Sequence, residues 1–405
     1  MNGNLCLESN KNGGEEETSS QASAKELPME EAYGATIKFA RLVGLHLVTK
    51  KGEEQPYIFN HRAMVPLVIC SLIILANQGS LLAYTLSLHP PFWFLVMQIP
   101  LVFGCGFSLF AYIQSLRHSR RMMSYMAALR TLKVPVTLRT RFIIGGAVSY
   151  ALVLGFCSLF LLSDWYVLPA LPSIIIICFV PSVLDLYMGC FIMALRTFTT
   201  KLTEKVRTQT SWCTEEVEAV AAEWILLKKL LDIHNKIFSL TVHLRLLLLT
   251  LQSMAYLFVL WGMSRWDSGC LAVVVLTSLP HFEVTLRLGF LCTMGERLLS
   301  SGEALLAAVR AAAYTVKVAT HQHQELIYLT ARMEAAPPAV HVWGMDSLSA
   351  RTCVSLTSLV TTYALVLLQF CSRSDWRFTS GERQHCMTRY DYCFSNSTEA
   401  SWMLY

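Results

Sequence analysis

The sequence predicts an all-α membrane protein with seven transmembrane helices, its N-terminus inside and its C-terminus outside. Three observations predict it. The 405-residue chain is 54% hydrophobic and only 15% charged, where an ordinary soluble domain carries roughly 25% charged residues. Its Leu, Ile, Val, Phe, Met and Trp come in blocks close to the about 20 residues a helix needs to cross a bilayer. Its Lys and Arg gather on alternate connections between those blocks, and basic flanks stay in the cytosol.

Taken in order, residues 1–35 are polar and acidic ("MNGNLCLESNKNGGEEETSS"), lack an apolar signal core, and read as a disordered cytosolic tail. A seven-helix domain follows over 36–371, with spans at 63–87, 92–114, 142–163, 168–195, 238–263, 270–293 and 352–371. The fourth span carries Pro172, Pro181 and Asp185, and the sixth is interrupted by "PHFE" at 280–283. Segments 201–236 and 296–335 are too polar to cross lipid and read as cytosolic helices. In the first, Val217, Val220, Trp224, Leu227 and Leu231 recur at helical spacing. The second is Ala-rich until Pro337 and Pro338 stop it. An apolar stripe in the cytosol packs either within one subunit or between subunits.

Orientation rests on the short flanks. The loop after the second span, "RHSRRMMSYMAALRTLKVPVTLRTR", holds seven basic residues and no acid. The opposite connections "SLHP", "SDWYV" and "SRWDSG" together hold one, Arg265. Residues 372–405 therefore form an extracellular tail. Asn396 in "NST" is a glycosylation sequon on that side. Cys386 and Cys393 are close enough in sequence to pair there, with Cys371 a competitor.

Several function classes drop out. No dense basic run with interleaved aromatics offers itself to nucleic acid. The chain has no CxxC, HExxH, GxSxG or Walker motif. His321-Gln322-His323 looks like a metal pair, but residues two apart on a helix do not face each other, so it reads as a solvated face. Zinc hydrolases of seven spans need several membrane-facing His ligands, and His281 is the one deep in a predicted span. No enzyme, metal or cofactor is expected.

Polar residues inside the spans are the candidate binding groups, because ionisable side chains in lipid face a cavity, a pathway or each other. Asp185 and His281 fit a pocket or a structural role equally well. Glu283 and Arg287, at i,i+4, read first as a structural pair. Trp93, Trp165 and Tyr166 suit an interfacial belt, whereas Gln98, Gln252 and Tyr256 sit deeper and are better pocket candidates.

The last span carries a pattern of its own. At about 100° per residue, Ser355, Ser358, Thr362 and Gln369 fall within roughly a 60° sector, with Val366 and Leu359 on the same face. A narrow polar stripe keeps away from lipid. It lines water or hydrogen-bonds a neighbouring helix. One helix cannot enclose a pore, but copies from symmetric subunits can.

Here the sequence becomes familiar. Thr362-Tyr363, five hydrophobic residues, then Gln369-Phe370 resembles the TYhhhhhQF signature of insect gustatory receptors. The seven spans, their orientation, the basic first inner loop and Gly344 in "VHVWGMDSL" are similar to that family as well. The resemblance implies a taste receptor of the plasma membrane: a homo- or hetero-tetrameric, tastant-gated, non-selective cation channel whose seventh spans line one pore. It implies Gln369 and Phe370 at the gate, with Thr362 and Tyr363 coupling the helix to its neighbours; the stripe read from the residues independently sets Val366, Thr362, Ser358 and Ser355 toward a pore. The resemblance also implies a tastant pocket in the outer half of each bundle. The chain departs from the family in continuing to Tyr405, and in lacking a phenylalanine after Gly344.

Two other classes compete. A receptor signalling through a cytosolic partner would have the opposite orientation and a DRY-like triplet at the inner end of the third span, where this chain instead opens that span beside "RTRF". A transporter would show internal repeats, and none is visible.

Overall fold

The computed structural model of the chain describes residues 26–28, 32–50, 57–88, 92–130, 133–135, 171–264, 271–318, 320–343 and 347–373. Strand β1 (Glu26–Pro28) is followed by α1 (Gly34–Leu42), β2 (Val48–Lys50), β3 (Tyr57–Phe59) and a 3-10 turn at His61–Ala63 that leads into α2 (Met64–Leu88). Then come α3 (Phe92–Arg117), α4 (Ser119–Arg130), β4 (Lys133–Pro135), α5 (Leu171–Thr208) and α6 (Thr214–Ser264). The chain closes with α7 (Leu271–Thr315), α8 (His321–Ala335) and α9 (Ala350–Arg373). Six of the seven predicted spans fall on helices, and the third, 142–163, lies outside the described residues.

Helix length explains the architecture. α5, α6 and α7 have 38, 51 and 45 residues. At 1.5 Å per residue α6 is about 76 Å long, more than twice the ~30 Å of a hydrocarbon core. The surplus lies on the cytosolic side, where the apolar stripe Val217, Val220, Trp224, Leu227 and Leu231 is buried. α5 runs along α7, α6 packs on α3 and α7, and α9 lies against α6 and α7. On α2 the reverse holds: Val65, Val68, Ile69, Leu72 and Leu75 are exposed, as a lipid-facing surface requires.

The structure departs from the sequence reading in three places. The cytosolic segments 201–236 and 296–335 are each broken rather than continuous. Between α5 and α6, Glu216 Oε2 accepts the Cys213 N–H at 3.0 Å, capping a new helix. Between α7 and α8, Thr320 does the same for His323 N–H at 3.3 Å. α8 then folds back on α7, burying Leu326, Leu329 and Met333. Two small antiparallel sheets, β1–β4 and β2–β3, interrupt the all-helical expectation. The tail expected over 1–35 also reaches too far. Glu26 pairs in register with Pro135 and Leu27 with Val134, and Tyr33 is buried in the core. A three-residue strand carries no hydrophobic period to read, so sequence missed it.

Candidate functional site

α9 is held by a strap, described over residues 338–343 and 347–349, that packs against α6 and α7. Asn235 on α6 grips it from both sides of its amide: Nδ2 donates to Ala339 O at 3.2 Å, and Oδ1 accepts His341 N–H at 3.0 Å. Trp343 N–H reaches Ser239 O at 3.5 Å, and its ring stands edge-on to His243 at 5.8 Å. The strap doubles back through Leu348 N–H to Val340 O at 2.8 Å. It lies so close to α7 that a Cβ on Gly295 would be 2.2 Å from Leu348 O, and one on Gly302 would be 2.1 Å from Pro338 Cγ. Glycine at these two positions gives the strap its room. Glu296 then accepts the Ala350 N–H at 3.0 Å, satisfying one of the orphan amides at the start of α9.

Along α9 two faces differ. Leu356 and Val360 are buried against the bundle. Ser355, Ser358, Leu359, Thr362, Val366 and Gln369 are exposed, and the helical period sets that group roughly opposite the packed face. Thr357, Thr361 and Thr362 return their hydroxyls to the i−4 carbonyls at 2.8 to 2.9 Å, so the donors are satisfied without another helix. Tyr363, flanking the stripe, is 51% exposed. Phe370 is placed on the helix, its side chain outside the described set.

Deeper in the bundle, Asp185 on α5 is bound on both oxygens by Arg245 on α6. Arg245 Nε lies 2.9 and 3.1 Å from the two oxygens, and Nη2 lies 2.6 Å from Oδ2. The Phe107 ring of α3 sits under the guanidinium, 5.6 Å from ring centre to Cζ. Three helices thus meet at one buried charge pair. Sequence reading singled out Asp185 and missed Arg245, although a lone arginine within the predicted span 238–263 was a legible signal. Of the other expected pocket residues, Gln252 is half-buried on α6. Gln98, Tyr256 and His281 lie on α3, α6 and α7, their side chains outside the described set, as is that of Glu283. In chain order along α3, α6 and α7, the four expected positions fall toward the ends of these helices predicted to be outer, and on the cytosolic side of them stands the Asp185–Arg245 pair.

On its inner side lies a small cavity of about 30 Å³, lined among others by Gln114, His118, Met122, Tyr187 and Thr241. Below it, His46 Nδ1 meets the Tyr187 hydroxyl at 2.5 Å, and Tyr125 OH meets His234 Nδ1 at 3.2 Å. Burial, reinforced by the Arg41 charge, pushes His46 down to about 3, and burial alone does the same for His234. Both are neutral at physiological pH. Sequence gave no hint of these pairs.

His321 and His323 do not converge. His323 Nδ1 contacts Ala313 O at 3.0 Å, while His321 lies 3.9 Å from Glu325. Among the described residues no group of three or more His, Cys, Asp or Glu is arranged to hold a metal. Asn396, Cys386 and Cys393 lie outside the described residues.

No family model matches the chain, and no curated protein matches its sequence. Solved structures do. The insect olfactory receptor OR5 from Machilis hrabei is similar at a TM-score of 0.64 and 12% identity, over 84% of this chain and 98% of that one. The same receptor in complex with eugenol is similar at a TM-score of 0.69, with the same identity and coverage. The fold is therefore the all-helical membrane fold of an insect olfactory receptor.

Proposed function

We propose that the chain is a chemosensory receptor of gustatory type, acting in the plasma membrane as a tastant-gated, non-selective cation channel. Four subunits, identical or related, each contribute α9 to one central pore. The observation that carries this reading is the polar face of α9: Ser355, Ser358, Thr362 and Gln369 stand uncovered opposite the face that packs on the bundle. Such a stripe is costly against lipid and suits a shared aqueous axis. Gln369, near the outer end, offers amide oxygens to a passing cation without a fixed charge, and Phe370 beside it supplies an apolar constriction. The tastant enters the outer half of the bundle among Gln98, Gln252, Tyr256 and His281, above a floor made by Asp185, Arg245 and Phe107. A receptor of the same fold solved in complex with eugenol supports a small organic molecule as the class of ligand. The Thr362-Tyr363…Gln369-Phe370 motif supports a tastant over an odorant. Movement of α6 or α7 around the ligand reaches α9 through the strap, because Asn235 and Gly295 tie it to both helices.

Recording from cells that express the chain tests this. Gln369→Glu is expected to raise divalent permeation or block, and Gln369→Arg to abolish cation current with the protein still at the surface. Unchanged reversal potentials in mixed-cation solutions for both variants would remove α9 from the pore.

A further inference from the structure

We propose that Arg351 forms a cationic collar at the inner mouth of the pore and limits how readily cations enter it from the cytosol; this rests on α9 lining the pore.

Arg351 and Gln369 are 18 residues apart on one unbroken helix, α9. At 3.6 residues per turn that is five whole turns, so the two side chains leave the helix in the same direction, about 27 Å apart along its axis. Ser355, Ser358 and Thr362 lie between them on that face, and all five residues are exposed. The buried positions Leu356 and Val360 are on the other side. Whatever Gln369 faces near the outer end, Arg351 therefore faces near the inner end.

Local structure does not account for an arginine here. It stands in the first turn of α9, which has no acidic residue. A cation at a helix N-terminus opposes the positive end of the helix dipole. Among the described residues Arg351 has no ion pair. Glu296 accepts the Ala350 N–H at 3.0 Å and forms no ion pair with Arg351. The guanidinium is left to act on its surroundings. Repeated around a symmetric axis, it raises the potential at the cytosolic entrance and lowers the cation concentration there, most of all for divalent and polyvalent cations. Entry from outside passes the uncharged Gln369 first. The expected signature is a current that flows more easily inward than outward.

The test is rectification in excised patches with symmetrical monovalent solutions. Arg351→Gln should raise the ratio of outward to inward current at equal and opposite voltages by about twofold or more, and Arg351→Glu further. Arg351→Lys, which keeps the charge, should behave as wild type. Raising salt from 0.1 M towards 1 M shortens the Debye length from about 10 to about 3 Å and should shrink the difference. In Arg351→Cys channels, a cationic thiol reagent applied to the cytosolic side should restore rectification, and an anionic one should not. Because this modification is made on channels already folded and conducting, it separates a pore charge from a folding effect. If Gln369→Glu shifts the reversal potential while Arg351→Gln, Arg351→Glu and the modified cysteine all rectify as wild type, the collar is overturned and the pore reading stands. If neither position affects permeation, both fall together.

Discussion

Asp185 and Arg245 meet across the α5–α6 interface as a bidentate pair, 60 residues apart in sequence and with both side chains almost wholly removed from solvent. Removing one partner from such a pair leaves an uncompensated buried charge, at a cost of about 3–5 kcal/mol, whereas replacing both with apolar residues is often neutral. Asp185→Asn and Arg245→Met are thus expected to lower surface expression and melting temperature in detergent. The double variant Asp185→Leu/Arg245→Met should recover most of both. His281→Ala, in the proposed outer pocket, should instead move the activating concentration with expression intact. Were Asp185→Asn to express and melt as wild type and shift only the activating concentration, the carboxylate would belong to the pocket and not to its floor.

Gly295 and Asn235 test the strap. A methyl group at Gly295 meets Leu348 O at 2.2 Å, and overpacking of this kind costs about 1–3 kcal/mol. Asn235→Ala removes two hydrogen bonds to the strap. Both variants are expected to reduce maximal ligand-gated current while leaving binding of the ligand, measured on purified protein, near wild type. Loss of binding and current in equal proportion would show a general folding defect.

Acid should weaken the cytosolic half of the bundle. His46 and His234 are held neutral, their values lowered from 6.5 to about 3 by burial. The unfolded chain then binds more protons than the native one, so stability is full above about pH 6.5 and is lost as pH falls from there towards 3. Each histidine contributes at most about 1.4 kcal/mol per pH unit in that window. Melting temperature in detergent should fall between pH 7 and pH 5. His234→Phe, which keeps a ring beside Phe238 and Tyr125, should flatten that fall. An equal slope in the variant would place the acid sensitivity elsewhere.

The charge asymmetry puts the C-terminus outside. An epitope after Tyr405 is expected to stain on unpermeabilised cells, and Asn396→Gln to lose any glycan-dependent mobility shift. Staining only after permeabilisation would reverse the orientation and with it the channel reading.

The sequence by itself determined the long apolar segments, the charge asymmetry of their flanks and the polar face of α9. Each of these is written within about 20 contiguous residues, as total hydropathy, flanking charge or a 3.6-residue period. Only the tertiary structure decided what the interior polar groups do. Asp185 looked equally fit for a ligand or a partner until the fold brought Arg245 to it. His46 with Tyr187, and Tyr125 with His234, are 141 and 109 residues apart. Gly295 and Gly302 look like ordinary helix-interior glycines until the strap is seen pressed against them. Such contacts depend on how far each helix is rotated and shifted against its neighbours. Hydropathy constrains which face of a helix is apolar, but not the depth at which a polar group on one helix meets its counterpart on another.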